Sequence, residues 1–192
     1  TTDVLTDGLF GVSANAIALN RKVEYYQWVE HSHTETKEKL GGTKEEITTY
    51  TYDRAWVSSP VESSSFKDPD YKGVNTVLTQ IDDQSYRAQN VTLGAYTMPQ
   101  SMISSLSYMN KHNTTLSLSY EVLSGLNNDL VAKLPAAELA ALKSIQSLTG
   151  NDSIAALPYV HQAGNQLYLG RDMNNPAVGD IRVSFEQADP CD

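Results

Sequence analysis

Residues 18–57, ALNRKVEYYQWVEHSHTETKEKLGGTKEEITTYTYDRAWV, decide the fold. They hold both tryptophans and four of the eleven tyrosines. From Leu19 to Lys39 no proline or glycine interrupts a run in which β-formers recur: Val23, Tyr25, Tyr26, Trp28, Val29, Thr34 and Thr36. The same holds from Thr43 to Val57, with Ile47, Thr48, Thr49, Tyr50, Thr51, Tyr52 and Trp56. Between the two runs, Leu40-Gly41-Gly42 is the turn signal. A helix competes for these residues and loses, because threonines and tyrosines in succession from Thr48 to Tyr52 would forfeit too much side-chain freedom in one. The pattern predicts a long β-hairpin with strands over about residues 19–39 and 43–57.

Charge selects the register. A two-residue Gly41-Gly42 loop would set Glu38 opposite Glu45 and Lys39 opposite Lys44, two like-charge pairs. A three-residue loop instead pairs Glu38 with Lys44, Lys37 with Glu45, Trp28 with Arg54 and Tyr26 with Trp56. Cross-strand pairs contribute roughly 0.2–1 kcal/mol each, so several improved together favour the longer loop. That length also puts Gly42 where the bulged turn needs a left-handed residue. The period of two then sorts the faces: Glu24, Tyr26, Trp28 and Glu30 on one, Val23, Tyr25, Gln27 and Val29 on the other. Apolar bulk on both faces predicts a base covered from both sides. The tip, residues 31–51, is polar on both faces and is expected to project or to lie along a neighbour.

The remaining 152 of the 192 residues are plainer. Apolar residues make up 40% of the chain, enough for one domain with a real core. A net charge of −9 lacks the basic stripe that nucleic acid requires, so no such partner is expected. The single cysteine, Cys191, closes no internal disulfide and leaves the compartment open. No stretch approaches the ~20 apolar residues of a helical membrane span. The chain opens on TTDVLTDG and ends on ADPCD, and reads as a segment of a longer protein.

Leu9-Phe10 is read as a short strand, and residues 58–73 as an exposed loop with little packing. Residues 74–81 fit helix or strand equally. Residues 90–96 read as a strand. Residues 99–109 read as a helix with proline at its first turn and Met102, Ile103, Leu106 and Met109 at helical spacing. Asn127-Asn128 is expected to end whatever residues 115–126 form. Residues 135–148 give the best helix, with Leu139, Leu142, Ile145 and Leu148 in one stripe and Gly150 after its end. Two strands follow, over 165–169 and 180–186. The fold class is α+β: a strand-rich antiparallel sheet built on the hairpin, with two or three helices.

No catalytic constellation emerges. His31 and His33 share a strand face, but only Glu35 joins them there, so they read as solvated histidines rather than metal ligands. No nucleophile elbow, phosphate loop or dinucleotide fingerprint occurs. Cys191 sits at a chain end, a poor place to hold a thiolate. Glu24 and Glu30 are ~20 Å apart along one strand, too far for a glycosidase pair. The aromatic cluster of Tyr25, Tyr26, Trp28, Tyr50, Tyr52 and Trp56 reads as hairpin packing before it reads as a ligand platform. The glycosylation triplets at Asn90, Asn113 and Asn151 occur at the frequency chance supplies.

The strings LNRKVEYYQWVE, YTYDRAW and NPAVGDIRVSF, with the lead-in DGLFGVSANAIALNR, resemble signature blocks of the LUMA (transmembrane protein forty-three) family. The likeness is strong over residues 8–60 and 176–185, weaker over 92–106, and absent over 110–166. It is carried by Glu24, Tyr26, Gln27, Trp28, Trp56, Gly179, Asp180 and Arg182. The resemblance implies a membrane-embedded protein with one amino-terminal span, a large extracytoplasmic or lumenal domain, and carboxy-terminal spans, of which this chain would be most of that single domain. It implies links to membrane organisation, partner retention and self-association in the nuclear envelope, and no catalytic residues or cofactors. A bacterial relative with a periplasmic domain is the expected setting.

Two functional expectations follow. The first is a noncatalytic interaction domain that binds itself or protein partners, with Glu24, Tyr26, Gln27, Trp28, Tyr52, Trp56, Asp180 and Arg182 as binding residues. The alternative is an envelope-associated enzyme or small-ligand binder with a pocket between the aromatic cluster and Asp180/Arg182.

Overall fold

The computed structural model describes residues 2–149 and 157–190. In chain order the strands are β1 (Val4–Thr6), β2 (Ser13–Asn15), β3 (Ala18–Glu38), β4 (Lys44–Val57), β5 (Gln84–Arg87), β6 (Thr92–Leu93), β7 (Tyr96–Thr97), β8 (Lys111–Asn113), β9 (Val160–Ala163), β10 (Gln166–Leu169) and β11 (Ile181–Ala188). The helices are α1 (Gln100–Leu106), α2 (Tyr120–Ala132) and α3 (Ala136–Thr149). The fold is α+β, as the sequence predicts.

The β3–β4 hairpin has the register that charge selects. Glu38 faces Lys44, Lys37 faces Glu45, Trp28 faces Arg54 and Tyr26 faces Trp56. The Lys39 amide donates to the Thr43 carbonyl at 2.7 Å and closes the three-residue loop, where Gly41 and Gly42 both adopt positive φ.

β3 is the centre of a seven-stranded antiparallel sheet ordered β4-β3-β11-β10-β9, with β5 beside the start of β3 and β8 beside the end of β11. β3 and β11 pair from Ala18↔Ala188 to Tyr25↔Ile181. This register gathers Leu19, Val23 and Tyr25 with Ile181, Val183 and Phe185 on one face. There they meet Phe10 and Val12 of the first hairpin, Leu130 of α2 and Leu142 of α3. Ile181, Val183 and Phe185 are at most 1% exposed, and each such side chain contributes about 1.5–3 kcal/mol through burial. On the opposite face Ala18 and Ala188 are covered by Val91, Met98 and Ile103, which places α1 and the small β6–β7 hairpin over one end of the sheet. The base of β3 is covered on both sides, as its two-faced apolar pattern requires, and residues 31–51 are exposed throughout.

Several elements differ from their sequence reading. Leu9-Phe10 is not a strand but the turn between β1 and β2, because the Asp7 carboxylate accepts from both the Leu9 and Phe10 amides. Residues 90–96 split into β6 and β7 around Gly94. α1 stops at Leu106; its inward residues are Ile103 and Leu106, while Met102 and Met109 face solvent. α2 runs through Asn127-Asn128, because Asn127 is buried and its side chain accepts from the Tyr159 amide at 2.9 Å. Residues 74–81 form neither helix nor strand. β9 adds a strand before the two expected ones, paired with β10 around Gly164-Asn165. α3 is the predicted helix, with Leu139 and Leu142 against the core. The side chains of Ile145 and Leu148, together with Gly150, Asn151 and Cys191, lie outside the described residues.

The largest revision concerns residues 58–73. Serine, proline and aspartate make two 3-10 turns, Ser63–Ser65 and Pro69–Tyr71, capped by the carboxylates of Glu62 and Asp68. The segment is nonetheless anchored: Ser63 and Phe66 are buried, and Tyr71 stacks on Tyr52 at 4.0 Å. Two aromatic side chains convert a polar loop into a strap over the hairpin.

Candidate functional site

Strand periodicity and register place six of the eight motif residues on one face: Glu24, Tyr26, Trp28, Tyr52, Trp56 and Arg182. The arrangement alternates rings and guanidinium groups. Arg182 donates to Glu24 at 2.8 Å and lies 4.4 Å from the Trp56 ring centre. Trp56 contacts Tyr26 at 5.1 Å and Tyr168 edge-on at 5.8 Å. Arg54 sits 5.4 Å from the Trp28 ring and 5.9 Å from Tyr26. Trp28 meets Tyr71 edge-on at 5.4 Å, and Tyr52 continues the row onto Tyr71 and Phe66. Cation–π and edge-to-face pairs of this kind contribute about 0.5–1.5 kcal/mol each. They form a half-buried layer that stiffens the base of the hairpin.

Gln27 turns away from that layer, whereas Asp180 is buried and joins it through the Tyr168 hydroxyl. Gln27 points to the opposite face and is buried. Its amide donates to the Tyr26 and Thr76 carbonyls and its oxygen accepts from the Val61 amide, so it staples the chain after β4 to the sheet. Asp180 is buried at the bend before β11, where it accepts from the Tyr168 hydroxyl and from the Ala177 amide at 3.0 Å. Burial pushes the Asp180 carboxyl above the usual carboxylate range, and burial together with Asp180 drives the Tyr168 hydroxyl far upward. A Cβ on Gly170 would fall 2.4 Å from the Asp180 carboxyl carbon, so only glycine fits there. The enclosed carboxylate orders the turn that leads into β11.

Glu30 is the functional-face residue that periodicity located but motif reading passed over. It accepts from the Tyr52 hydroxyl and from the Lys67 amide, each at 2.6 Å. The Tyr52 hydrogen bond, then that amide, holds its carboxyl below the usual glutamate value, while desolvation and Glu30 raise the Tyr52 hydroxyl. Tyr168 was reachable only once β10 was registered against β11, which sets it opposite Arg182. Nothing local in residues 58–73 marks Phe66 or Tyr71 as anchors.

Beyond Glu30 the hairpin is a two-stranded ribbon. His31 pairs with Asp53 at 2.8 Å and His33 with Glu35 at 3.4 Å, all four exposed. Among the described residues no group of three or more His, Cys, Asp and Glu side chains converges as a metal site. Likewise among those residues, no helix is long and apolar enough to cross a membrane. Among the described residues, the outer edge of β4 carries no partner strand. The 39↔43 hydrogen bond fixes the alternation, so the amides of Lys44, Glu46, Thr48, Tyr50 and Tyr52 point away from β3. On β3's other edge the Trp28 amide and carbonyl are both taken by the Asn75 side chain, at 2.8 and 2.9 Å.

A family model described as Transmembrane protein 43 matches residues 25–192. Proteins of that name from Homo sapiens and Mus musculus are each 26% identical to the chain, over 188 and 190 residues that make up 98% of it. The chain spans 38% of the length of these relatives. The match runs through residues 110–166, where the sequence offered no recognisable block, because α2 and α3 are amphipathic helices without rare-residue strings. No solved structure matches the chain.

Proposed function

The chain belongs to the transmembrane protein 43 family, and from that premise we propose that it is a noncatalytic assembly domain on the extracytoplasmic side of a membrane-embedded protein. The side would be periplasmic here and lumenal in eukaryotic relatives. Its partner is first of all a second copy of itself, joined along the hairpin, with other membrane proteins held on the same ribbon. The carrying observation is the free edge of β4, 14 residues long, backed by a base that aromatic and arginine side chains make rigid. An unpaired edge of that length is a template for strand addition. Lys44, Glu45, Glu46, Asp53 and Arg54 along it limit indiscriminate pairing and favour a charge-matched partner.

The ligand-pocket alternative would have to work with an Asp180 carboxyl that already accepts from the Tyr168 hydroxyl and the Ala177 amide, and so has less support.

The test is light scattering over a concentration series, comparing the chain with Thr48→Pro. Proline there removes an outward amide while leaving the β3–β4 hydrogen bonds in place. A concentration-dependent dimer that Thr48→Pro weakens at least tenfold, with unchanged circular dichroism, supports the reading. A monomer at every concentration that also recovers no partner on crosslinking in membranes overturns it.

A further inference from the structure

The end of the domain opposite the hairpin tip has a different chemistry from the rest of this acidic chain. Asn20, Lys22, Ser85, Arg87, Tyr108 and Lys111 line a concavity of about 220 Å³ between the sheet and the segment after α1. Some of its charge is already used. Lys22 pairs with Glu186 at 3.2 Å, and Asp83 accepts from the Val23 amide. Arg87 and Lys111 remain, and among the described residues neither has a carboxylate within 4 Å. Both lie against the ring of Tyr108, at 5.1 and 5.3 Å, and Arg87 donates to its hydroxyl at 3.1 Å. Tyr108 is 68% exposed.

The same segment collects apolar surface. Of the twelve exposed large hydrophobic side chains among the described residues, five fall within residues 93–109: Leu93, Tyr96, Met102, Tyr108 and Met109. Tyrosine rings and methionines beside unneutralised cations have the composition of an interfacial contact, apolar at one end and wet at the other. Both ends of the described chain meet here: Asp3 accepts from the Gln89 and Asn90 amides, and Ala188 pairs with Lys111. The hairpin tip is roughly 65 Å away, 20 residues along β3 at strand rise. Any span joined at either end of a transmembrane relative's matched portion would therefore enter the bilayer at this end.

We infer that this end of the domain docks on an anionic membrane surface, with Arg87 and Lys111 holding headgroup phosphates and Tyr108 and Met109 seated at the interface. The inference rests on the membrane attachment in the proposed function and is independent of hairpin assembly. It gives the domain a fixed orientation, with the ribbon standing away from the bilayer.

The experiment is co-sedimentation with phosphatidylcholine vesicles, with and without about 30% phosphatidylserine, at low and high salt. Binding to the anionic vesicles only, lost at high salt, is expected, because juxtamembrane cations are attracted within a Debye length. Lys111→Glu alone should weaken partition at least fivefold, and Arg87→Glu with Lys111→Glu should abolish it. Lys39→Glu with Lys44→Glu makes the same charge change at the tip and should leave most of the binding intact. Thr48→Pro should bind vesicles normally, which separates this inference from the assembly reading. No binding to anionic vesicles, or an equal loss in the tip variant, overturns it.

Discussion

Glu30 holds two elements together with one carboxylate. Its hydrogen bonds from Tyr52 and Lys67 pin residues 58–73 against the hairpin and bring Tyr71 onto Tyr52. Because the folded carboxyl sits below the ordinary value of 4.5, its contribution is complete above that pH and disappears as pH falls through the folded value. Near-ultraviolet circular dichroism of Trp28, Tyr52 and Tyr71 should therefore show an acid transition below pH 4.5 that precedes loss of the far-ultraviolet signal. Glu30→Gln should remove that transition; an unchanged acid limb would assign it to another carboxylate. Periodicity assigned Glu30 its face. It could not supply Lys67, because a backbone amide 37 residues away leaves no mark on local sequence.

At the scale of the element, the hairpin was legible because its information is local. Opposed charges at 37↔45 and 38↔44 and a Gly-Gly turn are enough to set every pair as far as Tyr25↔Val57. Gly42 has positive φ and open space around it, so Gly42→Ala meets no clash and suffers only backbone strain, about 1–2 kcal/mol. The tip is exposed throughout residues 31–51, so that cost should stay there. Hydrogen exchange at tip amides such as Lys39 should quicken about 5–30-fold while Val183 in the sheet centre keeps its protection. Equal acceleration at both sites would mean that tip and sheet unfold as one unit. The strap over the hairpin was illegible for the opposite reason. Its composition is that of a solvated loop, and the groups that hold it down are distant in sequence: Phe66 and Tyr71 dock on Tyr52 and Trp28, and the Val61 and Lys67 amides donate to Gln27 and Glu30.

Across the whole molecule, the sheet class and the helix over residues 136–149 followed from pattern, whereas the layers around the sheet did not. The site divided in the same way: Glu24, Tyr26 and Trp28 share the face that periodicity gave them, strand register adds Tyr52, Trp56 and Arg182, and Gln27 and Asp180 are internal fasteners. One such fastener joins the layers. Arg21 lies on the core face and pairs with Asp7 at 2.6 Å, both nearly inaccessible, while the Tyr86 hydroxyl also reaches Asp7. Arg21→Met would strand the buried Asp7 charge, and urea unfolding should show a loss of about 3–5 kcal/mol. A loss under 1 kcal/mol would mean that Asp7 keeps enough partners without it.

The Asn75 clasp on Trp28 bears on stoichiometry. It occupies the last backbone groups of β3 that face away from β4 at the base, directly after β11 ends and Asp180 has taken the Tyr26 amide. The rigid part of the ribbon thus has a valence of one. Two domains that meet there through β4 would satisfy each other by a twofold axis and leave nothing for a third, whereas contact confined to the tip, where among the described residues β3 pairs with β4 alone, would permit an open-ended row.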